Sequence, residues 1–103
     1  MDQSSIDALA AAPVAARGLF IGGRWVAAAN GAVLPVTSPI DGQRLTTIAD
    51  AGAADVDAAV AAARRAFDAG LWSRAAPAER KKVLHRIADA IEREALALAV
   101  LGV

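Results

Sequence analysis

The hydrophobic period of this sequence changes at Gly52, and that change constrains the fold more than any other feature. Between residues 19 and 49, short apolar runs alternate with glycine- and proline-containing turns, a pattern typical of antiparallel β structure. After Gly52, apolar residues recur at the period of an amphipathic helix. A chain of 103 residues is enough for one small domain. The sequence therefore predicts a small α/β unit in which antiparallel hairpins are followed by two or three helices.

Turn residues locate the hairpins. Gly22 and Gly23 separate two short apolar arms and tolerate the positive φ angles of a type I′ turn, so a tight hairpin is predicted over 19–26. Two further strands are predicted at 33–37 and 44–49, and Pro35 suits only an edge or irregular position. Residues 1–18 are expected to form an N-terminal arm, as a short frayed helix or a disordered segment.

Two amphipathic helices are predicted after the strands. The first runs from about Ala53 to Ala69, between Gly52 as N-cap and Gly70 as the stop signal, and the second begins near Pro77. The apolar pattern then resumes near the C-terminus, in the same helix or after a kink. The apolar face of the first helix consists of Val56, Val60, Ala63 and Phe67. The apolar face of the second helix consists of Val83, Leu84, Ile87, Ala88 and Ile91. The apolar residues of the last stretch are Leu96, Ala99 and Val100.

Composition excludes several classes of function. The absence of cysteine excludes disulfides, cysteine zinc sites and a thiol nucleophile. Eleven basic residues balance eleven acidic ones, so charge gives no reason to expect a nucleic-acid or membrane partner. No apolar run approaches the ~20 residues of a membrane span. The acidic start, with Asp2 and Asp7, argues against a secretory signal or a transit peptide, and a cytoplasmic location is expected.

The glycines and the histidine have structural interpretations. Gly18, Gly22 and Gly23 lack the spacing of a dinucleotide-binding loop and precede a strand, so no helix N-terminus would face a phosphate. His85 is the only histidine, lies on the charged side of the second helix and is predicted to be a surface residue.

The other polar side chains also lack the pattern of a catalytic site. Asp55 and Asp57 belong to a helix start and Asp50 to the preceding loop, so capping and solubility explain them. The hydroxyl residues lack an adjacent base or a nucleophile elbow. The basic group Arg80, Lys81, Lys82 and Arg86 is balanced at helical spacing by Glu79, Asp89, Glu92 and Glu94. The aromatic residues, predicted to be the main core and lid contacts of a small fold, are Phe20, Trp25, Phe67 and Trp72.

An ordered set of motifs resembles the start of the aldehyde dehydrogenase superfamily pattern. The segments that carry the resemblance are "LFIGGRWVAAANG", "VLPVTSPIDGQRLTTIADAGAADVDAAVAAARRAFDAGLWS" and "APAERKKVLHRIADAIERE". Each motif is weak alone, and their order makes the resemblance specific over residues 19 to 101. Within the superfamily the sequence looks nearest to enzymes of the γ-glutamyl-γ-aminobutyraldehyde dehydrogenase type. The matching positions are interpreted as scaffold and are Gly22, Trp25, Pro39, Gly42, Val56, Val60, Trp72 and Arg80.

The resemblance implies that residues 19–103 are a partial segment from the N-terminal part of the coenzyme-binding domain. The full-length parent would be an oxidoreductase that uses NAD or NADP to convert a small aldehyde to a carboxylic acid, and it would be a homo-oligomer. The family's catalytic cysteine, glutamate base, oxyanion asparagine and nucleotide-binding lysine segments lie downstream of this region. We therefore expect no catalytic, cofactor-binding or metal-binding residue here, no cofactor bound by this fragment, and no activity of the chain alone.

The end of the sequence departs from the resemblance. The family continues into Glu-Thr and a Thr-Gly-Lys turn, whereas Leu101 is followed here by Gly102 and Val103. A truncated gene, a frameshift or an incomplete record of a longer chain would each produce this ending. The alternative hypothesis is a free-standing interaction module that binds a partner through the exposed apolar face of the second helix.

Overall fold

The structure is a computed structural model that describes residues 2–103. These residues fall into two compact units, one formed by Val14–Ser73 and the other by the described residues up to Pro13 together with Arg74–Val103. In chain order the elements are α1 (Gln3–Ala11), β1 (Leu19–Ile21), β2 (Arg24–Val26), β3 (Val33–Thr37), β4 (Arg44–Ala49), α2 (Ala53–Ala69), α3 (Pro77–Arg93) and α4 (Ala95–Leu101). The predicted order of hairpins followed by helices is confirmed, with three helices after the strands and one before them.

The β1–β2 hairpin confirms the prediction made from its glycine pair. The two strands are antiparallel, with Phe20 opposite Trp25. Gly22 and Gly23 have φ angles of 61° and 79°, so both central residues of the turn are in the left-handed region, as a type I′ turn requires. A side chain at either position would strain this turn.

The β3–β4 hairpin forms a separate two-stranded sheet. Pro35 lies opposite Thr47, and since both strands of a two-stranded sheet are edge strands, the missing N–H is tolerated there. The register shifts between Val36 and Thr37, which marks a bulge before the turn. Arg17 extends the free edge of β4 in parallel, because its N–H donates to the carbonyl of Thr47 over 3.2 Å and its carbonyl accepts from Ala49 over 2.9 Å.

Helix α2 begins and ends where its flanking glycines predict. At its start the carboxylate of Asp55 accepts a hydrogen bond from the N–H of Gly52. At its end Gly70 adopts a φ of 78°, and its N–H donates to the carbonyls of Ala66 and Phe67. This left-handed residue stops the helix and satisfies carbonyls that have no partner within it.

The helical unit contains α1, α3 and α4. Helix α1 occupies half of the predicted arm, and its N-cap Asp2 accepts the N–H of Ser5 over 2.7 Å. This bond lowers the pKa of the Asp2 carboxyl below its ordinary value.

Pro77 holds the first position of α3, where the backbone N–H that proline lacks would have no helical acceptor. Glu94 separates α3 from α4 with a ψ of 15°, so the apolar pattern resumes in a new helix after a break.

The prediction that the aromatic residues form the core is wrong. Phe20, Trp25 and Phe67 are about 60% exposed, and Trp72 is 47% exposed. Phe20 and Trp25 lie on one face of a two-stranded ribbon and pack on each other, with ring centroids 4.9 Å apart. These exposed fractions show that the aromatic face of the ribbon is largely open. Ala28 is the one apolar side chain in the described chain that is buried.

None of the helices within residues 2–103 combines the length and the apolar character needed to cross a bilayer.

Candidate functional site

The only buried ionisable side chain in residues 2–103 is Asp55, in the first turn of α2. One carboxylate oxygen accepts the N–H of Gly52, and the other accepts the N–H of Ala29, each over 2.9 Å. Asp55 therefore caps its own helix and also anchors the loop between β2 and β3. The sequence predicted the capping role, which is confirmed, but the bond to Ala29 was missed.

The start of α2 is unsuited to a phosphate group. A helix N-terminus binds anions through free N–H groups and the positive end of the helix dipole. Here the carboxylate of Asp55 already supplies the negative charge at that position. A pyrophosphate placed there would meet a like charge, so these residues do not fit a dinucleotide cofactor.

The glycine turn of the first hairpin faces α2. A Cβ atom built on Gly22 would lie 3.9 Å from the Cβ of Ala62. A shallow apolar groove runs between hairpin and helix, and its lining includes Gly22, Gly23, Ala59, Ala62 and Ala66. The small side chains allow the hairpin to approach the helix closely. This placement agrees with the interpretation of Gly22 and Gly23 as a hairpin turn.

A close backbone contact lies near the hairpin, and no pattern in the sequence predicts it. A Cβ atom on Gly18 would lie only 2.5 Å from the carbonyl oxygen of Val26. Only glycine fits at this position without a shift of the backbone. No local turn signal marks Gly18, because the contact joins two strand ends.

His85 is exposed on α3, as predicted. It borders two shallow grooves along one side of that helix, together with Lys81 and neighbouring basic residues. Residues 2–103 contain no group of three or more histidine or carboxylate residues placed to hold a metal ion. The expectation that the chain binds no metal stays a prediction.

The basic group on α3 makes helical-range contacts with its own helix. Lys82 forms an ion pair with Glu79 over 3.1 Å, and Nε of Arg86 donates to the carbonyl of Lys82 over 3.5 Å. The Lys82–Glu79 pair is largely exposed, so it contributes little to stability. This arrangement agrees with the interpretation of the group as a solvated helix face.

Taken together, these residues position backbone elements, and none of them pairs a nucleophile with a base. Across residues 2–103, every buried side-chain nitrogen or oxygen atom has a hydrogen-bond partner. A buried polar atom without a partner is the usual sign of a position that awaits a ligand.

Comparison with known proteins gives the context of this scaffold. The pattern of the aldehyde dehydrogenase family matches residues 25–103. A putative aldehyde dehydrogenase of Bacillus subtilis, DhaS, is 43% identical over 83 residues, which are 81% of this chain and 17% of that protein. The fluoroacetaldehyde dehydrogenase of Streptantibioticus cattleyicolor is 48% identical over 84 residues, which are 82% of this chain and 16% of that protein.

A solved structure shows the same fold. The indole-3-acetaldehyde dehydrogenase AldA of P. syringae, a mutant in complex with NAD+ and IAA, matches with a TM-score of 0.88 and 40% identity. The match covers 98% of this chain and 20% of that one. The chain therefore spans about a sixth to a fifth of the length of these proteins.

Proposed function

The chain belongs to the aldehyde dehydrogenase family, and from this premise we propose that it serves as the N-terminal scaffold of an enzyme that oxidises aldehydes to carboxylic acids with NAD or NADP. The observation that carries the proposal is the match of 98% of this chain, at 40% identity, to one fifth of an enzyme solved with NAD+. Residues 19–103 are proposed to be the family segment, and residues 1–18 the arm that precedes it.

The chain alone is proposed to be inactive. Catalysis through a covalent intermediate needs an activated nucleophile beside a base. The sequence holds no cysteine, and its single histidine is exposed on α3. The start of α2, occupied by Asp55, does not fit a dinucleotide. We therefore assign no catalytic, cofactor-binding or metal-binding residue to this chain.

The scaffold role has a structural basis in Asp55 and the alanine face of α2. These features hold the hairpin and the connecting loop against the helix. The parent's substrate is proposed to be a small aldehyde, with an amino- or acylamino-aldehyde of the γ-glutamyl-γ-aminobutyraldehyde type as the first compound to assay. The homo-oligomeric state of the parent and its cytoplasmic location stay predictions.

A covalent chimera tests the proposal. This chain would replace the matched segment of P. syringae AldA, and NADH formation from indole-3-acetaldehyde would be measured beside that of intact AldA. The chimera is expected to retain activity within about tenfold, because the scaffold is exchanged and the chemistry is left in place. The 103-residue chain alone should form no NADH.

Two results would contradict the proposal. The first is a chimera that folds and binds NAD+ yet oxidises no aldehyde. The second is aldehyde-dependent NADH formation by the purified chain alone.

The alternative function is a free-standing interaction module. The observation in its favour is the apolar stripe of α3, where Leu84, Ile87 and Ile91 are each at least half exposed. An exposed stripe of this kind marks either an interface or an aggregation hazard. A chain that is monomeric at high concentration and unfolds cooperatively would count against this alternative, and analytical ultracentrifugation with thermal unfolding provides both readouts.

A further inference from the structure

Asn30 is the only asparagine in the sequence, and Gly31 follows it directly. The pair lies in the loop between β2 and β3, where both residues are exposed. Gly31 has a φ of 73°, and a Cβ atom built on it would meet no atom beyond its chain neighbours within 4 Å. The pair is therefore open to solvent, and no side chain at position 31 obstructs the peptide nitrogen.

An asparagine that precedes a glycine loses its side-chain amide when the next backbone nitrogen attacks it, which makes asparagine a thermolabile residue. In this chain the nitrogen of Gly31 would form a bond to Cγ of Asn30 and give up its proton. The bond from Cγ to Nδ2 breaks at the same carbon, and ammonia leaves. Water then opens the resulting succinimide ring at one of its two carbonyl carbons. The products are aspartate and isoaspartate, whose main chain runs through Cβ and Cγ.

One local hydrogen bond favours this reaction at Asn30. Its side-chain oxygen Oδ1 accepts the N–H of Ala32 over 3.0 Å. That oxygen gains negative charge when Cγ is attacked, and a donor already aimed at it stabilises the charge. The bond spans only two positions, so it does not depend on the rest of the fold.

A second hydrogen bond restrains the reaction. The N–H of Gly31 donates to the carbonyl of Ala28 over 2.8 Å, and this bond must break before the nitrogen can give up its proton to form the ring. Deamidation therefore proceeds from an opened form of the loop, and its rate follows the population of that form.

Contacts with other elements hold the loop closed on both sides of the pair. The N–H of Ala29 donates to the carboxylate of Asp55 over 2.9 Å, and the carbonyl of Ala32 accepts the N–H of Asp50 over 2.8 Å. Asp55 is buried, so water competes weakly for its bond. Release of Ala29 from Asp55 would let the turn open and free the Gly31 nitrogen.

We propose that Asn30 is a site of spontaneous deamidation, and that the bond between Asp55 and Ala29 sets its rate. Both products carry a new carboxylate beside Ala29, whose N–H is bound to the carboxylate of Asp55. Like charges at this separation repel each other. Isoaspartate also lengthens the main chain of the turn by one carbon. Each product therefore weakens the contact that restrains the loop, and the loop stays looser after the modification.

The test follows the intact mass of the purified 103-residue chain in mildly alkaline buffer, below the onset of unfolding. Deamidation raises the mass by about one unit, because an amide becomes a carboxyl group. Asn30→Ser is the control for the site, since serine has no amide to lose, and its mass should stay constant. In denaturing urea the unmodified chain should deamidate at least about threefold faster than in buffer, because the loop is then open.

Asp55→Ala tests the restraint. It should deamidate in buffer at least about threefold faster than the unmodified chain, since the loop opens more often. Asp57→Ala is the matched control, because Asp57 is an exposed acid in the same helix, and its rate should stay within about 1.5-fold of the unmodified chain. If circular dichroism shows that Asp55→Ala has lost helix, Asp55→Glu replaces it. Glutamate at this position keeps a bond to the N–H of Gly52 while its longer side chain displaces the carboxylate from Ala29.

The deamidated chain, separated by ion exchange, should show faster amide hydrogen exchange at Ala29 than the fresh chain. Three outcomes overturn the proposal. The first is a folded chain whose mass stays constant while the urea-treated chain gains mass, and the second is an equal gain in Asn30→Ser. The third is the same rate in the Asp55 variant and the unmodified chain. Unchanged exchange at Ala29 after deamidation would overturn the loosening of the loop.

Discussion

At the residue scale, Asp55 shows how one side chain joins local and distant parts of the chain. Its bond to Gly52 spans three positions and is visible in the sequence as an acid in the first turn of a helix. Its bond to Ala29 spans 26 positions and depends on where the fold places the loop after β2. Spacing alone cannot predict the second bond, and the contact of Gly18 with Val26 was missed for the same reason.

Asp55→Ala should loosen both the helix start and the β2–β3 loop. Two backbone N–H groups lose their acceptor, and a change of this kind lowers the free energy of unfolding by about 1–3 kcal/mol. Amide hydrogen exchange followed by NMR should show faster exchange at Ala29 and Gly52. Asp57→Ala is the control, because Asp57 is exposed in the same helix. Unchanged exchange at Ala29 in the Asp55 variant would show that the long-range bond does not hold the loop.

At the element scale, the sequence predicted most bounds because the signals that end these elements are local. Helix α2 lies between two glycines, and the β1–β2 turn is set by a glycine pair. The sequence allows either a continuous helix or a kink at Glu94, since neither glycine nor proline marks the break there. The exposure of Phe20 and Trp25 was predicted wrongly, because an apolar residue indicates burial only when another layer is available to cover it.

Gly70→Ala should destabilise α2 at its end. Gly70 has a φ of 78°, and an L side chain in that conformation lowers the free energy of unfolding by about 1–2 kcal/mol. Urea denaturation followed by circular dichroism should give a lower midpoint than for the unmodified chain. Gly102→Ala is the matched control, because Gly102 also ends a helix but has a φ of −76° that alanine adopts freely. Equal midpoints for the two variants would mean that the left-handed cap contributes nothing.

At the scale of the whole molecule, the described chain has secondary structure without a filled core. No large side chain in residues 2–103 is fully buried, and the apolar sides of α2 and α3 are both open. Burial of apolar area supplies most of the free energy that makes unfolding cooperative. The elements are therefore held mainly by local turns, caps and backbone hydrogen bonds.

The isolated chain should unfold over a broad temperature range with a small heat-capacity change. Folding removes little apolar surface from water, and that surface sets the heat-capacity change of unfolding. Calorimetry should show a shallow transition. The fluorescence of the dye ANS should increase when the chain is added at low temperature, because ANS binds exposed apolar surface. A sharp transition with a heat-capacity change of about 12–15 cal/mol/K per residue would contradict this expectation.

The alanine side of α2 limits which substitutions this sequence tolerates. A methyl group built on Gly22 would lie 3.9 Å from the Cβ of Ala62, an ordinary van der Waals distance, so the hairpin turn stands about one methyl group away from the helix. A long side chain at Ala62 would meet the hairpin turn, and the Asp55 contact to the loop after β2 resists an outward movement of that loop. The high alanine content records a spacing requirement as well as a preference for helix.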